Sequence, residues 1–229
     1  MLTPVMASYL ETIYNLTMEG ERVIAARLAA HFKLAAPTVS ETLHRMVEHG
    51  YIAIGAQKII ALTPEGRSLA EEGLRRHRLL ERFLAETLGL DWVTSHEEAH
   101  RLEHQLSPAV EDRIRRLLGD PETCPHGNPI PAPGRDPTAF LRERHALRLS
   151  QVRPGTTVRV LSISEIVEDE SALLRLLGEH RIMPGKTIEM LVSEKPSQVH
   201  FFLERKTMYL SRQVADKIWV QEQVAEHAE

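Results

Sequence analysis

From Met6 to Leu16 the apolar positions Met6, Tyr9, Leu10, Ile13, Tyr14 and Leu16 recur at helical spacing and predict a first amphipathic helix ending near Gly20. The stretch VIAARLAAHF (23–32), the break KLAAP and the run TVSETLHRMVEHG (38–50) predict two further short helices. In the second of these Val39, Leu43, Met46 and Val47 share one face, and Gly50 sits at the C-cap position. Two short helices joined this way make a helix-turn-helix pattern. YIAI (51–54), the turn GAQ and KIIAL (58–62) then alternate as a small β-hairpin, the wing of a winged helix. Thr63, Pro64 and Glu65 supply an N-cap, a first-turn proline and an acidic residue to open a long helix from about Glu65 to Leu88, closed by Gly89. Helices from about Thr94 to Leu106 and from Pro108 to Leu118 follow.

After Gly119 the pattern breaks. The segment PETCPHGNPIPAPGRDP (121–137) holds six of the chain's 13 prolines and reads as an ordered turn followed by a linker. Beyond Leu149 short β-rich runs (TTVRVLSI, KTIEMLV, VHFFLE, MYLS, KIWVQ) surround one helical insert, ESALLRLLGEH, which predicts a small β-barrel-like domain. The chain therefore divides into a winged-helix unit (1–64), a helical unit (65–130), a proline-rich linker (131–148) and a β domain (149–229), a mainly α protein with a small β part.

Composition narrows the class. With 42% hydrophobic and 26% charged residues the 229-residue chain reads as an ordinary globular protein, and no apolar run approaches the ~18 residues of a membrane span. The start MLTPVMASYLETIY lacks the features of a secretory signal, and the single cysteine, Cys124, suits a reducing compartment, so the expected location is the cytoplasm. A net charge of −4 gives no general affinity for nucleic acid, yet residues 20–60 carry Arg22, Arg27, Lys33, Arg45 and Lys58 against only Glu21, Glu41 and Glu48. The 12 histidines set against one cysteine point to transition-metal chemistry.

Those histidines cluster. On the helix predicted around 94–106, His96, His100, Glu103 and His104 stand at i, i+4, i+7 and i+8, within an arc of roughly 100°. His77 and Glu81 are i, i+4 neighbours on the preceding long helix, so two antiparallel helices can present six nitrogen- or oxygen-bearing side chains to one groove. A solvated polar stripe explains any one of these residues, but not the set. Imidazole and carboxylate suit Mn²⁺, Fe²⁺, Co²⁺, Ni²⁺ or Zn²⁺, and Zn²⁺ or Ni²⁺ outbinds Mn²⁺ on intrinsic affinity, so geometry and availability select the ion. The run His100-Arg101-Leu102-Glu103-His104 also matches the H-x-x-E-H pattern of inverted zinc peptidases, a reading that leaves His77, Glu81, His96 and the helix-turn-helix without a role.

SYLETIY, APTVSETLHRM, LTPEGR, RRHRLLERFL, HEEAHRLEH and CPHGNPIP together resemble the diphtheria-toxin-repressor and manganese-transport-regulator family over nearly the whole chain. The resemblance implies a winged-helix domain, a helical dimerisation and metal-binding domain and a C-terminal SH3-like barrel. It implies an ancillary metal site at His77, Glu81 and His96 and a primary, activating site built on Glu103 and His104, so two ions per subunit. His100 falls on a ligand position where relatives usually carry cysteine or an acid. Ser8 stands where iron-type members place methionine and manganese-type members aspartate, while Glu11 matches a manganese-type ligand. Mn²⁺ is the favoured ion, Fe²⁺ next, with Zn²⁺ admissible. Asp169 and Glu170, in the acidic run 168–170, are the weaker candidates for ligands lent by the SH3-like domain. Cys124 and His126 are expected to serve packing in a structural turn.

The resemblance also implies a homodimer that binds operator DNA upstream of metal-homeostasis genes as a repressor, with no small-molecule substrate and no membrane. In a winged helix the second helix of the motif enters the major groove. Pro37, Thr38, Ser40, Glu41 and Arg45 would lie on that face, with Arg27 and Lys58 as phosphate anchors. The expected switch is an ion that joins Glu11 on the first helix to His100, Glu103 and His104 of the dimer core and so fixes the spacing of the two reading helices. A metal-buffering protein whose helix-turn-helix serves only assembly is the rival of a different class.

Overall fold

The Thr-Pro pair at the start of the chain sets the first helix. Thr3 accepts a hydrogen bond from the Met6 amide and Pro4 takes the first helical position, so α1 runs Pro4–Met18, two residues earlier than the apolar spacing alone indicates. The computed structural model, which describes residues 2–223, continues with α2 (Ala25–Phe32), α3 (Ala36–Glu48) and a wing of β1 (Ile52–Ile54) paired antiparallel to β2 (Ile60–Leu62). Met6, Leu10 and Ile13 of α1, Leu28 of α2, Val39, Leu43 and Met46 of α3 and the wing's Ile52 and Ile60 bury together. Tyr9 stacks on Phe32 with ring centroids 4.3 Å apart, fastening α1 across α2.

The long helix α4 (Pro64–Glu86) opens as expected, with the Thr63 hydroxyl oxygen accepting from the Gly66 amide. Gly66 is required there, because a Cβ would lie 1.9 Å from the Tyr51 carbonyl oxygen. Its 23 residues span about 34 Å and serve two cores. Ala70 and Leu74 close the winged-helix core, whereas Leu79, Leu80 and Leu84 pack with Ala99 and Ile114 of the helical unit. His77 stands between these two sets.

The predicted helix at 94–106 divides. The α-helix α5 covers Trp92–Leu102, capped by Asp91, and Glu103–Gln105 tighten into a 3-10 turn before α6 (Pro108–Leu117). The reason is local: Ser107 caps α6 and precedes Pro108, which disfavours helical backbone at residue 107. The segment read as a linker holds a short helix, α7 (Ala139–Glu143), whose Phe140 and Leu141 are buried against Trp219, and ends in β3 (Leu147–Arg148).

The β domain adds β4 (Thr157–Ile163), α8 (Glu170–Glu179), β5 (Thr187–Leu191), β6 (Gln198–Leu203), β7 (Lys206–Ser211), the one-turn α9 (Arg212–Ala215) and β8 (Ile218–Glu222). The strands form one antiparallel sheet in the order β3-β8-β4-β5-β6-β7, closed over Val158, Val160, Ile188, Phe201 and Val220. Its loop between β4 and α8 reaches back to the other units. Ile166 packs on the winged-helix core, and Trp92 and Val93 of α5 pack on the β domain's core.

Candidate metal centre and reading helix

Where α1, α4, α5 and the β4–α8 loop meet, a cleft of about 250 Å³ is lined by Ser8, Glu11, His77, His96, His100, Glu165 and Glu170, among others. His77 is its pivot. Its Nδ1 lies 2.7 Å from Glu103 Oε2 and its Nε2 3.1 Å from Glu81 Oε1, so one buried imidazole stands between two buried carboxylates. Glu81 Oε1 also lies 2.9 Å from His96 Nδ1 and 3.2 Å from His126 Nδ1. His100 Nδ1 approaches Glu103 Oε1 at 3.1 Å.

Three overlapping sets of side chains bring ligand atoms within 4.8 Å of one another: His77, His100 and Glu103; His77, Glu81 and His96; Glu81, Cys124 and His126. Ligands on a divalent transition ion at 2.0–2.3 Å stand roughly 3–4 Å apart, so these spacings fit. Glu81 Oε2 and His126 Nε2 are buried without a hydrogen-bond partner, the pattern expected where a cation completes the set.

The electrostatics agree. Burial pushes the Glu81 carboxyl up, but His126 and His77 outweigh it and hold it well below the usual carboxylate range. Burial likewise opposes ionisation of Glu103, and hydrogen bonds from His100 and His77 bring its pKa down to about 2. Burial alone would lower His77, yet the Glu81 charge and hydrogen bonds to Glu103 and Glu81 raise it well above an ordinary histidine. Glu11 has no such imidazole partner, and burial followed by repulsion from Glu103 raises it to about 7. Glu170, with Oε2 3.6 Å from His96 Nε2, is raised by burial to about 7 as well.

Of the ligands expected from sequence, the structure gathers Glu11, His77, Glu81, His96, His100, Glu103 and Glu170 at this junction. His104 lies on the 3-10 turn, 46% exposed, with Nε2 3.6 Å from Glu103 Oε1 and outside the three sets. The arc expected for four residues assumed an unbroken α-helix, and the tighter turn rotates His104 away from it. Ser8 lines the cleft, but its hydroxyl donates to the Pro4 carbonyl. Asp169 is exposed and caps α8 by accepting from the Ala172 amide.

Cys124 and His126, expected to serve packing alone, and Glu165, outside the expected set, also stand at the cluster. Cys124 and His126 are buried, as a packing role requires, yet they face Glu81 as well; the Cys-x-His spacing beside Gly127 was the available signal. Glu165 carries no local signature. Its carboxylate accepts from Arg78 Nε and Nη2 at 3.2 and 2.9 Å, from Asn15 Nδ2 at 2.6 Å and from Asn128 Nδ2 at 2.8 Å. Arg78, fully buried, also donates to Asn15 Oδ1 and the Pro129 carbonyl. This polar knot ties α1, α4, the 124–130 turn and the β domain together just below the cleft.

On α3 of the winged helix, Pro37, Thr38, Ser40, Glu41 and Arg45 are all exposed, and Arg45 makes no ion pair among the described residues. Lys58 is exposed at the wing tip in left-handed backbone. Arg27 is half-buried and paired with Glu21.

A winged helix mounted on a helical core with a buried imidazole–carboxylate cluster defines a metal-responsive DNA-binding regulator. Residues 1–58 match the iron dependent repressor N-terminal DNA binding domain, 63–132 the iron dependent repressor metal binding and dimerisation domain, and 147–222 the FeoA domain. The chain belongs to the iron-dependent repressor family. It is 33% identical over 218 residues to the iron-dependent repressor IdeR of Mycobacterium leprae (strain TN), covering 93% of this chain and 95% of the relative. Among solved structures, a manganese-dependent transcriptional repressor in complex with manganese superposes with a TM-score of 0.80 at 30% identity, over 95% of this chain and all of that one. ScaR with bound Zn²⁺ superposes with a TM-score of 0.79 at 27% identity, over 95% and 99% of the two chains. Family membership assigns residues 1–58 to DNA binding, a role that the peptidase and buffering readings leave without purpose. The H-x-x-E-H pairing is also broken in space, since Glu103 turns inward to His77 while His100 and His104 are 61% and 46% exposed.

Proposed function

We propose that this protein is a cytoplasmic, homodimeric repressor of metal-homeostasis genes that binds operator DNA when two divalent ions per subunit are in place, Mn²⁺ favoured over Fe²⁺ and then Zn²⁺. The observation that carries the reading is the position of His77, at the changeover between the winged-helix core and the helical core, with acidic and imidazole groups from α1, α4 and α5 converging on it. Glu11, His100 and Glu103, with His104 beside them, form the primary set; His77, Glu81 and His96, with Glu170, form the second. A bound divalent cation supplies the positive charge that lets Glu11 and Glu103 remain ionised side by side.

With that charge present Glu11 gives up its proton and draws α1 onto α4 and α5, which orients the α3 reading face relative to the dimer core. A near-complete switch needs about 5 kcal/mol of differential stabilisation, within reach of several ligand bonds. Leu102, Val110 and Leu117, 42%, 48% and 65% exposed on α5 and α6, offer an apolar surface for the second subunit. Among the described residues no helix is long and apolar enough to cross a membrane.

The test is fluorescence anisotropy of chelator-stripped protein on its own promoter region, titrated with Mn²⁺ at fixed salt against unrelated DNA. Specific binding that appears only with metal supports the reading, and repeating the titration with Fe²⁺ and Zn²⁺ ranks the ions. Specific binding that ignores metal removes the switch, and binding that is equal on both DNAs removes the repressor.

A further inference from the structure

Glu11, Asn15 and Glu19 stand at i, i+4 and i+8, so successive turns of one face of α1 carry all three. Glu11 lines the metal cleft, Asn15 donates to Glu165 of the β4–α8 loop at 2.6 Å, and Glu19, the C-cap residue, meets β3. There Arg148 Nη2 donates to Glu19 Oε2 at 2.8 Å, and Glu21 Oε1 lies 3.7 Å from the same nitrogen. The Arg148 and Glu19 side chains are only 7% and 2% exposed, so this ion pair between the β domain and the winged helix is shielded from water. Neither residue belongs to the metal cluster or to the reading face. We propose that Arg148 is a positioning residue for operator binding: it grips the far end of α1, so that an ion drawing in Glu11 turns the whole reading head instead of shifting one end of the helix. The proposal rests on the metal-dependent reading above.

Arg148 is itself held in place. It stands opposite Trp219 in the β3–β8 pairing, and its guanidinium carbon lies 3.7 Å from the centre of a Trp219 ring, so the charge is stacked on the sheet before it meets Glu19. Phe140 and Leu141 of α7 pack with Trp219 and keep the indole in position. On the other side of the pair, Gly20 ends α1 in left-handed backbone, φ +71°, and turns the chain into Glu21. Glu21 pairs with Arg27 of α2, one of the expected phosphate anchors. Arg148, Glu21 and Arg27 therefore form a line of alternating charge from the β domain into the helix-turn-helix. A buried charge deprived of its partner is costly, so the Arg148–Glu19 contact holds the corner of α1 and α2 against β3. Without it, part of the metal-loaded protein leaves the arrangement that fits DNA, and apparent affinity falls by the fraction lost.

The full chain, Arg148→Met, Glu19→Gln and the double variant are each saturated with Mn²⁺, and binding to the protein's own promoter region is read by anisotropy at several salt concentrations. Calorimetric Mn²⁺ titration and circular dichroism accompany each. Methionine keeps an apolar contact with Trp219, and glutamine keeps the shape of Glu19. Each single variant should bind the promoter at least roughly tenfold more weakly. Mn²⁺ affinity and salt slope should stay unchanged, and the double variant should lose no more than the worse single one. Three results overturn the proposal: undiminished promoter affinity in the folded single variants, additive losses in the double, or a salt slope reduced by about 1 in Arg148→Met, which would make Arg148 a direct phosphate contact. If Arg148→Met does not fold, Glu19→Gln decides by the same affinity and slope. Hydrogen exchange without DNA reads the grip directly, since the amides of residues 20–24 should exchange faster in either single variant. If the unmutated chain shows no metal-dependent DNA binding while exchange quickens in the variants, the repressor reading falls and the docking of α1 on the β domain stands.

Discussion

Arg78 and Glu165, 87 residues apart in sequence, meet through two hydrogen bonds beneath the metal cleft, with the guanidinium wholly buried. The pair joins the helix shared by the two helical cores to the loop through which the β domain reaches them. Asn15, Asn128 and the Pro129 carbonyl add four more hydrogen bonds, so the knot joins α1, α4, the 124–130 turn and the β4–α8 loop.

Breaking one side of this pair should be costly. Glu165→Gln leaves a buried guanidinium without its counter-charge, and the loss expected for half of a buried pair is about 3–5 kcal/mol. Urea denaturation of the metal-free protein measures it; a loss below about 1 kcal/mol would mean that water reaches Arg78.

Gly73 separates metal binding from stability. It sits within α4, and a Cβ on it would lie 2.2 Å from Glu11 Oε1. Gly73→Ala should gain up to about 1 kcal/mol of helix propensity, because the Glu11 side chain can swing aside. That swing removes a primary ligand. We expect Mn²⁺ affinity to fall at least roughly tenfold, equivalent to about 1.4 kcal/mol, with no drop in Tm. Calorimetric titration beside thermal melting checks both halves, and unchanged affinity would take Glu11 out of the primary set.

Metal loading should strengthen with pH through neutrality. Glu11, at about 7 in the metal-free protein, must be ionised to ligate, and His77 and His100, both raised, must give up protons. Each released proton steepens the rise by up to about tenfold per pH unit below the relevant pKa.

The metal-free fold should show the opposite trend between pH 6 and 8. Glu11 and Glu170, raised to about 7 from 4.5, contribute stability present below pH 4.5 and lost as pH climbs through 7. His77, raised from 6.5, contributes stability present below 6.5 and lost above it. Glu103, lowered to about 2, acts only in acid, its contribution being present above 4.5 and lost as pH falls. The carboxyls of Glu11 and Glu170 should each cost on the order of 1 kcal/mol between pH 6 and 8. Melting curves with chelator present should therefore give a lower Tm at pH 8 than at pH 6, and a flat profile would contradict the burial of these acids.

On the DNA side, Arg45→Ala should cost about 1–3 kcal/mol and relax sequence preference if the guanidinium reads a base, while Lys58→Ala should weaken all sequences alike and reduce the salt slope by about 1. Arg27→Ala should matter less, because Glu21 already engages its guanidinium. Anisotropy at several salt concentrations distinguishes the three.

The sequence alone determined the winged helix, the capped start of α4, the five longer strands and most of the side chains gathered at the cleft, because each is written in short-range signals: apolar residues every three to four positions, alternation in strands, a Thr-Pro cap, histidine and glutamate at i, i+4. Tertiary structure decided the rest. The end of α5 before Glu103 is set locally, by the Ser107 cap and Pro108 that open the next helix, but that it turns Glu103 in and His104 out shows only in the folded structure. The convergence of His126 and Cys124 on Glu81, and of Glu165 on Arg78, joins residues 43 to 87 positions apart whose only common property is the place to which the fold carries them. No local pattern encodes such meetings, since they arise when separate cores pack on one helix and bury the charges between them.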